Sequence, residues 1–354
     1  MKPNLEVIQV FRGLAAAAVV LHHAADQITA LPAVTAGTRI FLTARIINTD
    51  VGAAGVDLFF VISGFIMSYT VRRGGFDVAR EFLARRAIRI YPLYWLCSLF
   101  AIAVLTSPWV QDFHPAPLAL FQSFLLYPTL YENMVRPVVL GQGWTLIYEV
   151  LFYVLFALTL WQTRLRQLGA IFLALGGLFL TAQLFAGPQP VLVLLRDPVL
   201  FEFVLGLGLG LILTETPFRL GSRLRPLIFG LGLLLLALSA FPGGFGWEVS
   251  RLWRFGVPAF LLIGSGVLHP AAGSVRFPRG FAVLGDASYS IYLLHSVVFV
   301  VIHAAWLRVG WLQRLPLDGL FVLLAGTALA AGTVCHYAVE KPLLQFCRGE
   351  IALA

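Results

Sequence analysis

The sequence contains ten apolar stretches, each close to the length that crosses a lipid bilayer, and no other feature constrains the fold as strongly. A helix needs about 20 mainly apolar residues to cross the hydrocarbon core. The seventh and eighth stretches are short enough to be tilted or broken helices. A further apolar segment, 118–131, contains a proline and is too short to span, so we interpret it as interfacial or re-entrant. The ten stretches are 8–28, 52–71, 89–107, 143–163, 168–186, 191–213, 226–241, 253–269, 283–307 and 317–339.

The composition agrees with a membrane protein and excludes the other broad classes. Hydrophobic residues make up 59% of the chain and charged residues only 12%, whereas soluble proteins carry about 25% charged residues. The same figures exclude disorder, collagen and a small secreted fold held by disulfides. The sequence therefore predicts an all-α, polytopic integral membrane protein with about ten transmembrane helices, in which residues 1–354 form a single membrane domain without an appended soluble domain.

The distribution of basic residues predicts the orientation of the chain. The net charge is +8, from 25 basic and 17 acidic residues. With the N-terminus inside, the inner segments hold sixteen of the basic residues and the outer segments eight, while Arg12 falls within the first span. This ratio follows the positive-inside rule, so we expect both termini in the cytoplasm and no nucleic acid partner. A cleaved signal peptide around the apolar run 13–21 is an alternative, but Glu6 and Arg12 directly before the run fit it poorly.

Several ionisable residues lie inside the predicted spans, where each needs a reason. A charge near the bilayer centre costs at least about 2.5–3.5 kcal/mol on insertion scales. A single such residue can pair with a backbone group or with a neighbouring helix, which would be a purely structural role. The residues are Arg12, His22, His23, Asp26, Asp57, Glu149, Glu202, Asp286, His295 and His336.

Helical geometry separates these residues on the first span. Arg12 and His23 are eleven residues apart, close to three turns, so they share one face and lie roughly 16 Å apart along the axis. Asp26 follows His23 by three residues and lies on nearly the same stripe. His22 points about a quarter-turn away, and we expect it to be packed or interfacial.

The depths of the buried residues suggest two chemical layers. Counting from the outer ends of their spans, His23, Asp57 and Glu149 fall in one layer roughly 8–9 Å below the outer edge. A histidine and carboxylates at equal depth can form a proton-transfer group. Arg12 belongs to an inner layer, whose guanidinium groups suit a multiply phosphorylated ligand approaching from inside. A simple topology signal is the alternative for this cluster. The other inner arginines are Arg85, Arg86 and Arg89.

Six motifs, taken together and in order, resemble membrane acyltransferase family 3. The second of them is closest to the branch of the family involved in exopolysaccharide production. The ordered set covers residues 8 to about 345. Thr145 replaces the serine that usually precedes the glutamate of the fourth motif. The motifs are FRGLAAAAVVLHH (11–23), GVDLFFVISGFIMS (55–68), RRAIRIYPLYW (85–95), GWTLIYEVLFY (143–153), LGDASYSIYLLH (284–295) and VEKPL (339–343).

The resemblance implies ten spans, an acyl-coenzyme A donor in the cytoplasm and a sugar acceptor reached from the outer side. It implies His23 as the catalytic histidine, with Arg12 and Glu149 functionally important. We therefore predict a multi-pass O-acyltransferase of the cell inner (plasma) membrane, with acetyl-CoA as donor and a surface polysaccharide or its lipid-linked precursor as acceptor. A secondary transporter or a flippase for a lipid-linked sugar is the alternative, because both also bury charges among about ten spans.

Each candidate residue receives a predicted role. His23 is the general base, assisted by Glu149, with a transient acyl-histidine as the alternative mechanism. The phosphates of the donor are expected to bind Arg12, Arg85, Arg86 and Arg89. The acceptor is expected to be oriented by Asp57, Tyr148 and His295. No metal is required by this chemistry.

Overall fold

The computed structural model describes residues 6–31, 40–110, 113–131, 134–241, 244, 249–269 and 277–351. Helices dominate this part of the chain, and one short hairpin is present. Lys2, Arg39 and Arg276, which contribute to the predicted orientation, lie outside the described residues.

Between Glu6 and Glu215, the described residues form nine helices and the hairpin. The chain begins with α1 (Glu6–Thr29), α2 (Leu42–Ile47), α3 (Val51–Thr70), α4 (Phe76–Leu105) and α5 (Pro117–Phe124). An antiparallel hairpin of β1 (Leu130–Tyr131) and β2 (Met134–Val135) follows. A 3₁₀ turn (Gly141–Gly143) then leads into α6 (Trp144–Leu158), α7 (Arg164–Leu184), α8 (Pro190–Leu195) and α9 (Leu200–Glu215).

The second half contains the remaining helices and two π-helical turns. Helix α10 (Leu224–Ala240) is followed by a π-helical turn (Leu252–Gly256) that continues as α11 (Val257–Val267). Next come α12 (Arg279–Asp286), α13 (Ser288–Trp306), α14 (Gly310–Gln313) and α15 (Leu317–Cys335). A second π-helical turn (His336–Glu340) leads into α16 (Lys341–Ile351).

The described helices confirm an all-α, multi-pass membrane protein. Seven of them are long and apolar enough to cross a bilayer: α1, α3, α4, α6 with its preceding turn, α7, α13, and α15 with its continuation. The helix α10 and the segment Leu252–Val267 are apolar but shorter, in keeping with the predicted weakness of the seventh and eighth spans. The count of ten spans stays a prediction.

Two predicted spans are interrupted, and local chemistry explains one break. Between α8 and α9 the chain leaves the helical conformation at Asp197, because the ring of Pro198 disfavours helix in the preceding residue. The Asp197 carboxylate accepts a hydrogen bond from the backbone N–H of Val199 at 3.0 Å, which stabilises the turn. The second break, at Ala287, separates α12 from α13.

Residues 72–88, between the second and third predicted spans, are expected to form a loop on the inner side, but most of them are helical. Helix α4 begins at Phe76 and runs for 30 residues. Gly75 precedes it with φ of 126°, a conformation that side chains with a Cβ rarely adopt. Arg85, Arg86 and Arg89 therefore lie on one helix. The three-residue spacing of Arg86 and Arg89 places them on related faces of it.

The segment predicted as interfacial forms α5, whose eight residues are too short to span. It is held to α4 by three side chains that donate to its last carbonyl groups. Tyr94 donates to Ser123 at 2.8 Å and Trp95 to Phe124 at 2.9 Å, and Tyr91 reaches Leu125. This attachment places the hairpin and residues 135–140 over one of the two cavities described below.

Helix α1 lies at the centre of the assembly and packs against α2, α3, α12, α13 and α15. Its neighbour α3 approaches α9 so closely that only glycines fit at the contact. A Cβ on Gly206 would lie 2.0 Å from the carbonyl oxygen of Val61, and one on Gly64 would lie 2.1 Å from that of Phe203. Gly206 and Gly210 of the GLGLG segment at 206–210 have the GxxxG spacing that is typical of close helix packing, and both lie against α3.

Substitution of Gly206 tests this contact against a matched control two residues away. Gly206→Ala forces backbone atoms apart, and overpacking of this kind costs about 1–3 kcal/mol or more. Gly208 has open space around the same position, so Gly208→Ala should leave stability unchanged. The measurement is the melting temperature and the yield of monodisperse protein in detergent. Equal behaviour of the two variants would contradict the packing described here.

Candidate active site

Among the cavities that open along α1, two lie near the ends of the pair Arg12 and His23. The first, which we call the histidine cavity, has a volume of about 680 Å³ and is lined by His23, His295, Trp144 and Tyr148, among others. The second, the arginine cavity, has a volume of about 320 Å³, and Arg12 lines it. One face of α1 therefore lines both cavities, as the spacing of Arg12 and His23 predicts.

The histidine cavity contains a pair of imidazole rings. Nδ1 of His23 lies 2.9 Å from Nε2 of His295, so the two rings share a hydrogen bond. The ring planes differ by only 8° and the centroids are 5.1 Å apart. Because the two nitrogens are far closer than the centroids, the rings meet edge to edge. His295 is buried, while His23 is half-buried and faces the cavity.

His22 does not share this environment, although it is adjacent to His23. Its ring packs against Gly52 of α3, where an added Cβ would lie 2.8 Å from the imidazole. It does not line either of the two cavities, and its Nε2 lies 3.8 Å from the carboxylate of Asp26. The prediction that His22 is a packed residue is confirmed. Asp26 does line the histidine cavity, but its ionisable partner is His22 rather than His23.

The arginine cavity combines three guanidinium groups with one carboxylate. Arg86 lies over the rings of Phe82 and Tyr153, at 5.3 and 5.2 Å. Arg89 pairs with the buried carboxylate of Glu340 at 3.2 Å. These contacts hold both side chains beside the cavity. The arginines that line it are Arg12, Arg86 and Arg89.

Glu149 lies in this same cavity, which corrects the prediction that it shares a layer with His23. Its carboxylate accepts hydrogen bonds from Ser63 at 2.8 Å and from the hydroxyl group of Tyr153. Depth counted from span ends misplaces it because Trp144, the first residue of α6, already lines the histidine cavity, and Glu149 lies five residues further along the helix. Arg85 lies outside the cavity, exposed and paired with Glu81 one turn earlier.

Asp57 does not line the histidine cavity. It binds Arg251, which does. Its carboxylate is fully buried and binds Arg251 in a bidentate pair, with the shortest contact 2.6 Å from Nη2. Arg251 lines the histidine cavity and lies over the ring of Trp144 at 5.5 Å. The predicted direct role of Asp57 in orienting an acceptor is therefore corrected to that of a residue positioning Arg251.

The hydroxyl group of Tyr148 lies in the histidine cavity, where sequence reasoning expected it to meet an acceptor. It donates to the carboxylate of Asp197 at 3.0 Å, and both residues line the cavity. The sequence analysis did not identify Asp197, Arg251 and Trp144 as residues of this cavity. The available signals were the Trp144–Tyr148 spacing of one helical turn and the aspartate before Pro198, whereas Arg251 resembles an ordinary loop charge.

A small polar network separates the two cavities. Thr145 and Tyr292 line the arginine cavity, whereas Gln142 lines the histidine cavity. The Tyr292 hydroxyl group donates to the backbone carbonyl of Gln142 at 2.8 Å and accepts from Thr145 at 3.0 Å. The Gln142 side chain donates to Ser296 and to the carbonyl group of Leu293. Thr145, the departure from the family motif, thus belongs to this partition.

The arrangement can support transfer of a group from an anionic carrier to an acceptor on the opposite side. Guanidinium groups bind phosphate in bidentate geometry, and a cavity lined by three of them suits a phosphorylated donor. A histidine whose second nitrogen faces a separate cavity can accept a proton there. The chemistry that needs both is acyl or similar group transfer.

Comparisons with known proteins agree with this geometry. The family model described as an acyltransferase domain matches residues 5–335. The chain is 36% identical over 304 residues to the exopolysaccharide production protein ExoZ of Rhizobium meliloti (strain 1021), covering 83% of this chain and 90% of the relative. It is 27% identical over 342 residues to the acyltransferase MdmB of Streptomyces mycarofaciens, covering 86% and 84%. No solved structure matches the chain.

The chain belongs to acyltransferase family 3, as its motifs and the family model both indicate. It is therefore an enzyme that transfers acyl groups other than aminoacyl groups, which favours the predicted acyltransferase over the transporter and flippase alternative.

The Asp57–Arg251 pair can be tested by stability alone. Asp57→Leu leaves the guanidinium group without its buried partner, and loss of one member of a buried pair typically costs about 3–5 kcal/mol. The double variant Asp57→Leu/Arg251→Met should recover part of the loss, since no charge is then left unpaired. Glu81→Gln, in the exposed pair with Arg85, is the control and should change little. Melting temperatures in detergent give the comparison, and an Asp57→Leu variant as stable as wild type would refute the assignment.

Proposed function

We propose that the protein transfers an acetyl group from acetyl-CoA to a sugar hydroxyl group of a surface polysaccharide or of its lipid-linked precursor. The observation that carries the proposal is that one helix presents Arg12 to a cationic cavity and His23 to a separate cavity. The relative named for exopolysaccharide production supports a polysaccharide acceptor.

The arginine cavity is proposed as the donor side. Its guanidinium groups would hold the phosphates of coenzyme A at the mouth, where the protein meets the cytoplasm. The pantetheine arm would then bridge the distance from Arg12 to His23, roughly 16 Å along α1 and about half of the hydrocarbon thickness. Glu149 would accept hydrogen bonds from polar groups of the arm, so its functional importance is assigned to the donor rather than to the imidazole. Arg85 would contact only the part of the coenzyme outside the cavity.

The histidine cavity is proposed as the acceptor side, reached from the outer face of the membrane. The indole of Trp144 offers an apolar face to a sugar ring, and Asp197 offers carboxylate oxygens to its hydroxyl groups. Arg251 lines this cavity and is held there by Asp57, so its guanidinium group would donate to an acceptor oxygen. Tyr148 orients Asp197 through the hydrogen bond already described.

The reaction needs one base, which we assign to His23. Nε2 would take the proton from the sugar hydroxyl group while the oxygen attacks the thioester carbonyl carbon. Collapse of the tetrahedral intermediate breaks the carbon–sulfur bond, and the departing thiolate recovers the proton from the imidazolium. Protons and electrons balance without a metal or a further co-reactant.

The topology proposed with this function has ten spans and both termini in the cytoplasm of a cell whose inner membrane holds the protein. The excess of basic residues in the inner segments supports it. In this orientation the arginine cavity opens on the side where acyl-coenzyme A is made.

Substitutions of the cavity arginines test the donor side. Arg86→Ala and Arg89→Ala should each weaken coenzyme A binding by roughly 10- to 100-fold, because a hydrogen bond to a charged group contributes about 1.5–3 kcal/mol. Arg80→Ala, on the same helix but exposed, serves as the control and should bind normally. Calorimetry with purified protein in detergent measures the affinity. Unchanged binding in the double variant Arg86→Ala/Arg89→Ala would leave these arginines as a topology signal only.

The two adjacent histidines provide the sharpest test of the catalytic assignment. His23→Ala should abolish acetylation, since loss of a general base typically costs about 10²–10⁴ in rate. His22→Ala should retain a substantial fraction because His22 packs against α3. The measurement is mass spectrometry of surface polysaccharide from a deletion strain carrying each variant at equal membrane abundance.

The expected outcome with His23→Ala is intact polymer that lacks the acetyl mass. Loss of the whole polymer would point instead to a role in export. An active His23→Ala variant beside an inactive His22→Ala variant would contradict the assignment of His23.

A further inference from the structure

The hydrogen bonds around His295 determine which nitrogen of each imidazole carries a proton. Nδ1 of His295 lies 2.7 Å from the backbone carbonyl oxygen of Tyr292. A carbonyl oxygen only accepts hydrogen bonds, so Nδ1 of His295 must carry hydrogen. Because a neutral imidazole has one N–H group, Nε2 of a neutral His295 is an acceptor.

The same reasoning extends to His23. Nε2 of His295 lies 2.9 Å from Nδ1 of His23, and as an acceptor it requires a donor, so Nδ1 of His23 carries hydrogen. Nε2 of a neutral His23 then has an unprotonated lone pair. Since Nδ1 is engaged with the buried His295, Nε2 is the nitrogen left for the cavity.

From this chain of bonds we infer that His295 is a positioning residue, which holds the catalytic His23 in the tautomer whose Nε2 can act as the base. The inference rests on the proposed function and replaces the predicted role of His295 in orienting the acceptor. In many enzymes a carboxylate holds the Nδ1–H group of the catalytic histidine. Here a second imidazole does so, and a backbone carbonyl group orients that imidazole in turn.

The arrangement also accounts for the charge that forms during the reaction. When Nε2 of His23 takes the proton of the hydroxyl group, the ring becomes an imidazolium whose Nδ1–H already points at the lone pair of His295. A hydrogen bond to a charged group is shorter and stronger than a neutral one. The positive charge is thus stabilised by a neutral partner inside the bilayer, where a fixed carboxylate would itself need desolvation. The proton leaves again from Nε2 to the departing thiolate.

The tautomer can be measured without any substrate. Histidine labelled with ¹⁵N in the purified protein distinguishes protonated from unprotonated ring nitrogens, and His23→Ala identifies the signals of His23. We expect His23 to carry hydrogen on Nδ1 in the wild-type protein and to shift toward the Nε2–H tautomer in His295→Leu. A wild-type His23 protonated on Nε2 would overturn the inference while leaving the proposed function intact.

Kinetics supply the second test. His295→Leu should lower kcat by about 10- to 100-fold, as expected for loss of a residue that orients a reactive group, with coenzyme A binding and both KM values unchanged. His295→Gln should retain more activity than His295→Leu, because its side-chain oxygen can accept the Nδ1–H of His23. His303→Leu, on the same helix but outside both cavities, is the control.

Two kinetic outcomes contradict the positioning role. The first is a wild-type kcat in His295→Leu. The second is an equal loss in the Leu and Gln variants together with weakened coenzyme A binding, which would indicate a general structural defect. Failure of the proposed function is distinct from both, because the surface polysaccharide of the strain carrying His23→Ala would then keep the same acetyl mass as that of the strain carrying the wild-type protein.

Discussion

The cost of placing charged side chains inside a bilayer determines how this molecule is assembled. Each ionisable group in the helical core must be paired, hydrogen-bonded or exposed to a cavity. Asp57 meets this requirement by binding Arg251 from a segment nearly two hundred residues later in the chain. Glu340 meets it with Arg89, His336 and Ser290. These pairs fasten distant helices around α1 and at the same time point an arginine toward each cavity.

The sequence predictions that depend only on the geometry of a single helix agree with the structure. The spacing of Arg12 and His23 predicts one shared face, and the offset of His22 predicts a packed ring; both hold because the α-helix has a constant rise and rotation. The close approach at Gly206 follows from small residues for the same reason. Membrane character and helix positions follow from hydropathy, although Pro198 and Ala287 interrupt spans that hydropathy treats as continuous.

Relations between helices could not be predicted in this way. Counting depth from span ends places Glu149 beside His23, but α6 already begins at the histidine cavity with Trp144, so the carboxylate five residues further along lies in the arginine cavity. In the sequence, Arg251 looks like an ordinary charge of an outer loop. Only the packing of α3 against the π-helical turn shows that it pairs with Asp57. The His23–His295 contact joins residues 272 apart in sequence, and a histidine carries no local pattern that names its partner. The motif ending in His295 indicates importance but not the hydrogen bond.

The partition of Thr145, Tyr292 and Gln142 connects the two halves of the chemistry. The hydroxyl group of Tyr292 donates to the backbone carbonyl of Gln142 between the two cavities, and its own backbone carbonyl group orients His295. Under the proposed function, a donor arm that displaces the hydroxyl contact with Thr145 would therefore touch the same residue whose backbone carbonyl group orients His295. Under the proposed function, separation of the donor and acceptor sides would thus depend on a few neutral hydrogen bonds, each of which contributes only about 0.5–1.5 kcal/mol.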